Sequence, residues 1–360
     1  SFSDNQLTSI DVSNNTALTY FRCDDNQLTS LDVSNNTALT YFRCDDNQLS
    51  NLYITQNTAL TDLICHDNQL TSLDVSNNTA LTTLYCYLNQ LSNLYITQNT
   101  ALTDFRCHDN QLTSLDVSQN TALTTLYCYV NQLSNLYITQ NTALTNFRCH
   151  DNQLTSLDVS QNTALTYLSF SDNQLTSIDV SNNTALTNLQ FHYNQITSLD
   201  VSNNTALEFL GCTQNQLTSL DVAQNTALTS LQCTKNQLTS LDVSHNTALT
   251  NLNCSFNQLV SLDARNGNNS NLIGFYATSN PSLNCINVDD AVWSTTNWLN
   301  IDSQHYFSIN CPPPSAIQEH TTNKELLKVT DLFGRETKQT NQPLFYIYDD
   351  GTVEKRIVIE

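Results

Sequence analysis

Apolar residues recur along residues 1–262 in one fixed order. In the unit "LTYFRCDDNQLTSLDVSNNTA", residues 18–38, they stand at Leu18, Phe21, Cys23, Leu28, Leu31, Val33 and Ala38, and mostly polar residues fill the rest. The two-residue steps from 21 to 23 and from 31 to 33 send alternate side chains to one side of an extended chain. Each unit is therefore predicted to form two short strands. Residues 18–24 would build a main parallel sheet, and the "LDV" or "LYI" segment a weaker second sheet opposite. The register never slips: Asn26, Asn47, Asn68, Asn89 and Asn110 are 21 residues apart, and the same spacing runs from Asn5 to Asn257. A unit this short cannot bury its apolar face alone and must stack on its neighbours, which defines a solenoid. At about 4.8 Å per strand the body would be about 60 Å long.

The Asn column is expected to be structural. A side-chain amide can satisfy backbone groups in a turn that has left the strand ladder, and stacked copies can bond to one another. A second column, Asn15 through Asn246, would do the same in the opposite turn.

"LTYFRCDDNQL", residues 18–28, resembles the leucine-rich repeat pattern LxxLxLxxNxL with Cys in the third apolar place, and the likeness recurs in register over about 2–262. The resemblance implies a mostly β solenoid: a leucine-rich repeat superhelix with a parallel concave sheet that offers a binding surface. A 21-residue unit is short for that family, so the convex segments are expected to be extended chain rather than long helices.

All but two of the 12 Cys occupy one column, from Cys23 to Cys254, and Phe2, Phe170 and Phe191 fill the same place in other units. The site asks for a buried apolar group, which a free Cys can be. Disulfides along the ladder and a column of metal thiolates are the alternatives; the first would be strained and the second lacks convergent ligands. Cys285 and Cys311 stand outside the register, in a segment that carries both Trp and has the composition of a cap. A bridge between them would close a loop of roughly 27 residues, worth about 3 to 4 kcal/mol. The segment resembles the cysteine-bearing C-terminal flanks of secreted leucine-rich repeat proteins, which implies that disulfide and an oxidising compartment.

These shifts divide the chain into a solenoid at 1–263, a cap at 264–311, a Pro-rich linker at 312–318 and a β tail at 319–360. The sequence starts in mid-repeat and contains no Met, so an N-terminal cap and any leader are expected to lie outside it. Half of the 12 Lys and Arg fall between Lys324 and Arg356. Alternation in "LFYIYDDGTVEKRIVIE" predicts a hairpin turning at Asp349, Asp350 and Gly351. The tail is similar to the C-terminal sorting domains read by the type IX secretion system of certain Gram-negative bacteria. The matching motifs are "DLFGRE", with Asp331, Gly334 and Arg335, and "GTVEKRIVIE", with Asp350 before it, Gly351 and Lys355. The resemblance implies contact with the secretion machinery and a place outside the cell or on the outer-membrane surface.

Function is expected where the units differ. Two outward columns of the main sheet vary. Together with Tyr20 and Tyr41 they form a stripe: Arg22, Asp24, Arg43, Asp45, His66, Tyr85, Tyr87, Arg106, His108, Tyr127, Tyr129, Arg148, His150 and His192. Tyr and Arg are enriched in interface hot spots, and Tyr also stacks on sugars, so a protein or polysaccharide ligand would suit it. The plain alternative is cross-strand cover of the sheet. His66, His108 and His150 are two strands apart, about 9 to 10 Å, too far to share a metal ion. An outward Asp column from Asp11 to Asp263 supplies too few oxygens for calcium and is expected to be a solvated acidic face. Thr16 through Thr247, and most of Thr19 through Thr250, form Thr columns of the kind that suit ice binding on a flat solenoid.

A net charge of -21 excludes nucleic acid as a partner class. No apolar run approaches the roughly 18 residues needed to cross a bilayer. No nucleophile stands beside a base at a usable spacing, and five Gly form no phosphate loop. The expected protein is a non-catalytic, cofactor-free monomer for adhesion or recognition, with a structural spacer as the alternative.

Overall fold

A computed structural model of the chain describes residues 1–313, 326–330, 335–337, 343–348 and 353–357. The chain divides into two compact units, Ser1–Cys311 and Pro312–Glu360. The first is a mostly β solenoid whose main sheet has thirteen parallel strands among the described residues, in sequence order from Tyr20–Arg22 to Gly274–Tyr276. Neighbours pair at identical places in the unit: Tyr20 with Tyr41, Phe21 with Phe42, Arg22 with Arg43. Identical side chains therefore stack along the axis at the strand spacing. Each coil closes a continuous core, with Leu39, Phe42, Cys44, Leu49 and Ile54 fully buried.

The strands are three residues long rather than the seven expected from 18–24. The hydrogen-bonded ladder nevertheless continues to both sides, with Thr40 N donating to Thr19 O at 2.8 Å and Cys44 N to Ile64 O at 2.9 Å. A left-handed residue just before each Asn of the first column then turns the chain, while hydrogen bonds between coils run on through it, as from Asn26 N to Asp46 O at 3.1 Å. Asp25 (φ 53°), Leu88 (φ 50°) and Val130 (φ 49°) all occupy that place, which suits Asp far better than Leu or Val. The second sheet also differs from expectation. In the repeats it is a strand only at Ser240–Asp242 and Ser261–Asp263, where it pairs on into Cys285–Asn287 and Tyr306–Ser308; an isolated Asp32–Tyr53 bridge is its other trace. A solenoid that curves around its main sheet spreads its coils on the other side. Continuous pairing is lost there.

The Asn columns stitch coils together through backbone, not through one another's amides. Asn110 Nδ2 reaches Cys86 O, Cys107 O and His108 O at 3.0 to 3.2 Å, while its Oδ1 accepts from Leu91 N at 2.9 Å. The second column differs: Asn120 Nδ2 donates to Ile96 O and Asn99 O, but its Oδ1 is buried without a partner.

The Cys column consists of free, buried thiols. Burial pushes Cys86, Cys212 and Cys254 up to about 12. Because the thiolate is the reactive species, the native thiols are expected to resist alkylation at pH 8 and to react fully once guanidinium opens the coils. Mass spectrometry of iodoacetamide-treated protein checks this, and rapid native labelling at Cys86 would refute the packed ladder.

At the C-terminal end, Trp298 stacks on Phe275 with centroids 4.1 Å apart and donates from Nε1 to Leu272 O. Cys285 and Cys311 form a disulfide, Cα atoms 5.7 Å apart. In the second unit Leu326–Thr330, Pro343–Tyr348 and Val353–Ile357 form a three-stranded antiparallel sheet. Lys355 lies on its last strand, and Arg335 beside the Thr330–Glu336 bridge. Asp331, Gly334, Asp350, Gly351, the turn at 349–351 and linker residues 314–318 lie outside the described residues.

Candidate recognition surface

The varied stripe covers the outer face of the main sheet, and its side chains engage one another. At the N-terminal end the rings of Tyr20 and Tyr41 stack at 4.5 Å. Arg22 and Arg43 each hold a carboxylate bidentately, Asp24 at 3.1 and 2.8 Å and Asp45 at 2.8 and 3.0 Å. Asp24 and Asp45 are buried, at 1% and 0% exposure, where the sequence pattern placed them outward. The neighbouring guanidinium planes cover them. Burial raises the Asp24 pKa, but the Arg22 and Ser3 hydrogen bonds and the Arg43 charge outweigh it and hold the group at about 2.

Further along, His and Tyr alternate from coil to coil and form a continuous stack. His66, Tyr87, His108, Tyr129 and His150 follow one another at centroid distances of 4.1 to 4.2 Å. Each His Nδ1 lies 2.7 to 2.8 Å from the following Asp, namely Asp67, Asp109 and Asp151. Burial lowers the His108 pKa. The spacing of single strands, not the histidines themselves, decides this: a ring on every coil meets the next at stacking distance.

Beside that stack runs a second series, in which Arg and Tyr alternate. Arg106 lies over Tyr85 and Tyr127 at 4.4 and 5.0 Å, and Arg148 over Tyr127 and Tyr167 at 4.7 and 4.3 Å. Arg106 is also paired with Asp104 at 3.0 and 2.8 Å, and Tyr85 donates its hydroxyl to the same carboxylate. Two coils on, the carboxylate is replaced by Asn146. There, among the described residues, Arg148 has no ion pair, its Nε is buried without a partner, and Asn146 Oδ1 is unpaired too.

His192 falls outside the stack. Its ring occupies the space beside Gly211, where any Cβ would come within 2.5 Å of it, and its Nδ1 accepts from Thr213 N. One His-carboxylate group, Asp45, Asp46 and His66, brings possible metal-ligand atoms within 4.8 Å of one another among the described residues. Arg43 already occupies Asp45. The outward Asp column is held by its own turns: Asp74 Oδ1 accepts from Ser76 N and Asp116 Oδ1 from Ser118 N. In the second Thr column the hydroxyls are engaged, Thr61 and Thr124 donating to the Thr carbonyl of the coil before.

No helix among the described residues is long and apolar enough to cross a membrane. The repeat family described as LVIVD repeat matches residues 1–24 and 156–195. No curated protein sequence matches the chain. Among solved structures, the functional domain of InlJ from Listeria monocytogenes, which includes a cysteine ladder, is 33% identical, covering 97% of this chain and 82% of that one with a TM-score of 0.77. The internalin InlF from Listeria monocytogenes is 23% identical over 70% of this chain and 85% of its own, TM-score 0.58. YopM, a leucine-rich effector protein from Yersinia pestis, is 22% identical over 80% and 81%, TM-score 0.62. The last two show likeness of fold alone. With the repeat pattern, the stacked coils and the InlJ relative together, the chain belongs to the leucine-rich repeat family.

Proposed function

We propose that this is a non-catalytic recognition protein whose main sheet binds a protein partner, displayed outside the cell for adhesion, with the C-terminal tail as its export signal. The observation that carries the binding reading is Arg148. A guanidinium whose Cζ lies 4.7 and 4.3 Å from the ring centroids of Tyr127 and Tyr167, with no ion pair among the described residues, suits an acidic side chain brought by another protein. The surrounding Tyr and His rings supply a rigid, low-entropy contact area of the kind hot spots use. The N-terminal part of the stripe serves the sheet instead, because Arg22 and Arg43 neutralise buried carboxylates. Changing those two would unfold coils and obscure any binding effect.

The informative variants are therefore Arg148→Ser and Tyr127→Ser. Binding to a panel of host-type surface proteins, measured by interferometry, is expected to find a partner whose affinity drops more than tenfold in both variants. Arg148→Lys should not restore it, since an ammonium does not stack as a plane. Equal affinity of all four proteins, or no partner, favours the spacer reading.

A further inference from the structure

The opposite face carries a second, unrelated feature. In the outward column that is Asp32, Asp74, Asp116 and Asp158, three coils carry Tyr instead: Tyr53, Tyr95 and Tyr137. These rings stand 71%, 77% and 77% exposed. The stack does not ask for them, because Asp serves at the same place in the other coils. Their two-coil spacing matches the alternation of His and Tyr on the main sheet. Between Tyr95 and Tyr137 lies a cavity of about 480 Å³, floored by Leu115 and Asp116 and edged by Ser114 and Asn135. A smaller cavity of about 280 Å³ lies beside Asp74 and has one tyrosine wall, Tyr95.

We infer that the Tyr95–Tyr137 slot binds a neutral hexopyranose unit of a glycan, with the Asp74 slot as a weaker second site. Three physical features select that class. Tyr95 and Tyr137 both line the cavity and stand exposed, and a tyrosine face packs against the C–H face of a sugar ring. The floor carboxylate is fixed by Ser118 N and keeps lone pairs to accept from sugar hydroxyls. Asp116 and Asp74, on a chain of net charge -21, repel uronic acids and sulfated sugars. Aromatic walls with a few placed polar groups match the general build of small-ligand sites. This site is independent of the main-sheet reading, and either can fail alone.

Affinity electrophoresis of the full chain through gels containing mannan, galactan or mixed β-glucan tests it, with polygalacturonate as the anionic comparator. At least one neutral polymer is expected to retard the wild-type protein, with retardation reduced at least tenfold in Tyr95→Ala and Tyr137→Ala. Tyr193→Ala, which removes an exposed Tyr elsewhere, should behave as wild type. Both slot residues are exposed, so unchanged melting temperatures should accompany the loss. Retardation by none of the neutral polymers, by polygalacturonate alone, or equally in all variants overturns the inference.

Discussion

Asn110→Ala is expected to lower stability by roughly 3 kcal/mol or more, among the largest effects of any single substitution in the solenoid. The side chain holds three carbonyls and one N–H of two adjacent coils, at 9% exposure. Ala would leave Leu91 N buried and unsatisfied, at about 1 to 3 kcal/mol, and would take one donor from each carbonyl, though Cys86 O keeps Asn89 Nδ2, Cys107 O keeps Asn131 Nδ2 and His108 O keeps Leu88 N. Asn120→Ala is the control with a built-in contrast. It also loses two buried hydrogen bonds, but it removes an Oδ1 that has no partner, so its cost should be smaller, about 1 to 2 kcal/mol. Because each coil touches only its neighbours, the damage should be local. Hydrogen exchange should show lost protection around residues 86–112 before the ends of the array respond. Equal costs for the two variants would mean that the first column is not the stronger stitch.

Reduction of the Cys285–Cys311 bridge should have a comparable effect at the C-terminal end. The bond spans 26 residues, and the chain-entropy model gives about 3.5 kcal/mol for a loop of that size. What the loop holds matters as much as the entropy. Tyr306–Ser308 pairs with Cys285–Asn287, and Cys311 N donates to Asn287 Oδ1 at 2.7 Å. Phe275, Trp298 and Phe307 form an aromatic plug over the last coil. Terminal caps are what keep a solenoid's apolar ends from water. Under dithiothreitol, or in Cys285→Ser with Cys311→Ser, exchange protection of residues 274–288 should fall first and light scattering should rise on heating. An unchanged melting profile would show that the plug holds without its clasp. The buried thiols of the ladder should remain unlabelled in either case.

Much of this was legible in the sequence because the repeat makes each coil report on all the others. The 21-residue register fixed which side chains share a column, and a parallel stack turns shared columns into contacts. Burial of Cys23 and its equivalents followed from the Phe residues that replace them. The structural role of Asn26 and its column followed from a polar side chain recurring where the strand must end. Cys285 and Cys311 stood out because they alone broke the register.

Other features depended on distances that no column conveys. Asp24 and Asp45 look outward by strand parity, yet two guanidiniums folded over them and buried them. The stripe read as a ligand surface or as cross-strand cover; at one ring per strand spacing its His and Tyr became a stack of rings. Arg106 and Arg148 are identical in sequence role, and only the exchange of Asp104 for Asn146 in space distinguishes a satisfied cation from an unsatisfied one. Tyr53, Tyr95 and Tyr137 interrupt the Asp column, but only in space do Tyr95 and Tyr137 line one cavity. The sequence by itself determined the stack, its register and its core, because those follow from periodicity and burial. Only the tertiary structure decided which surface groups are free to bind, because that depends on how neighbouring coils satisfy one another's charges and hydrogen bonds.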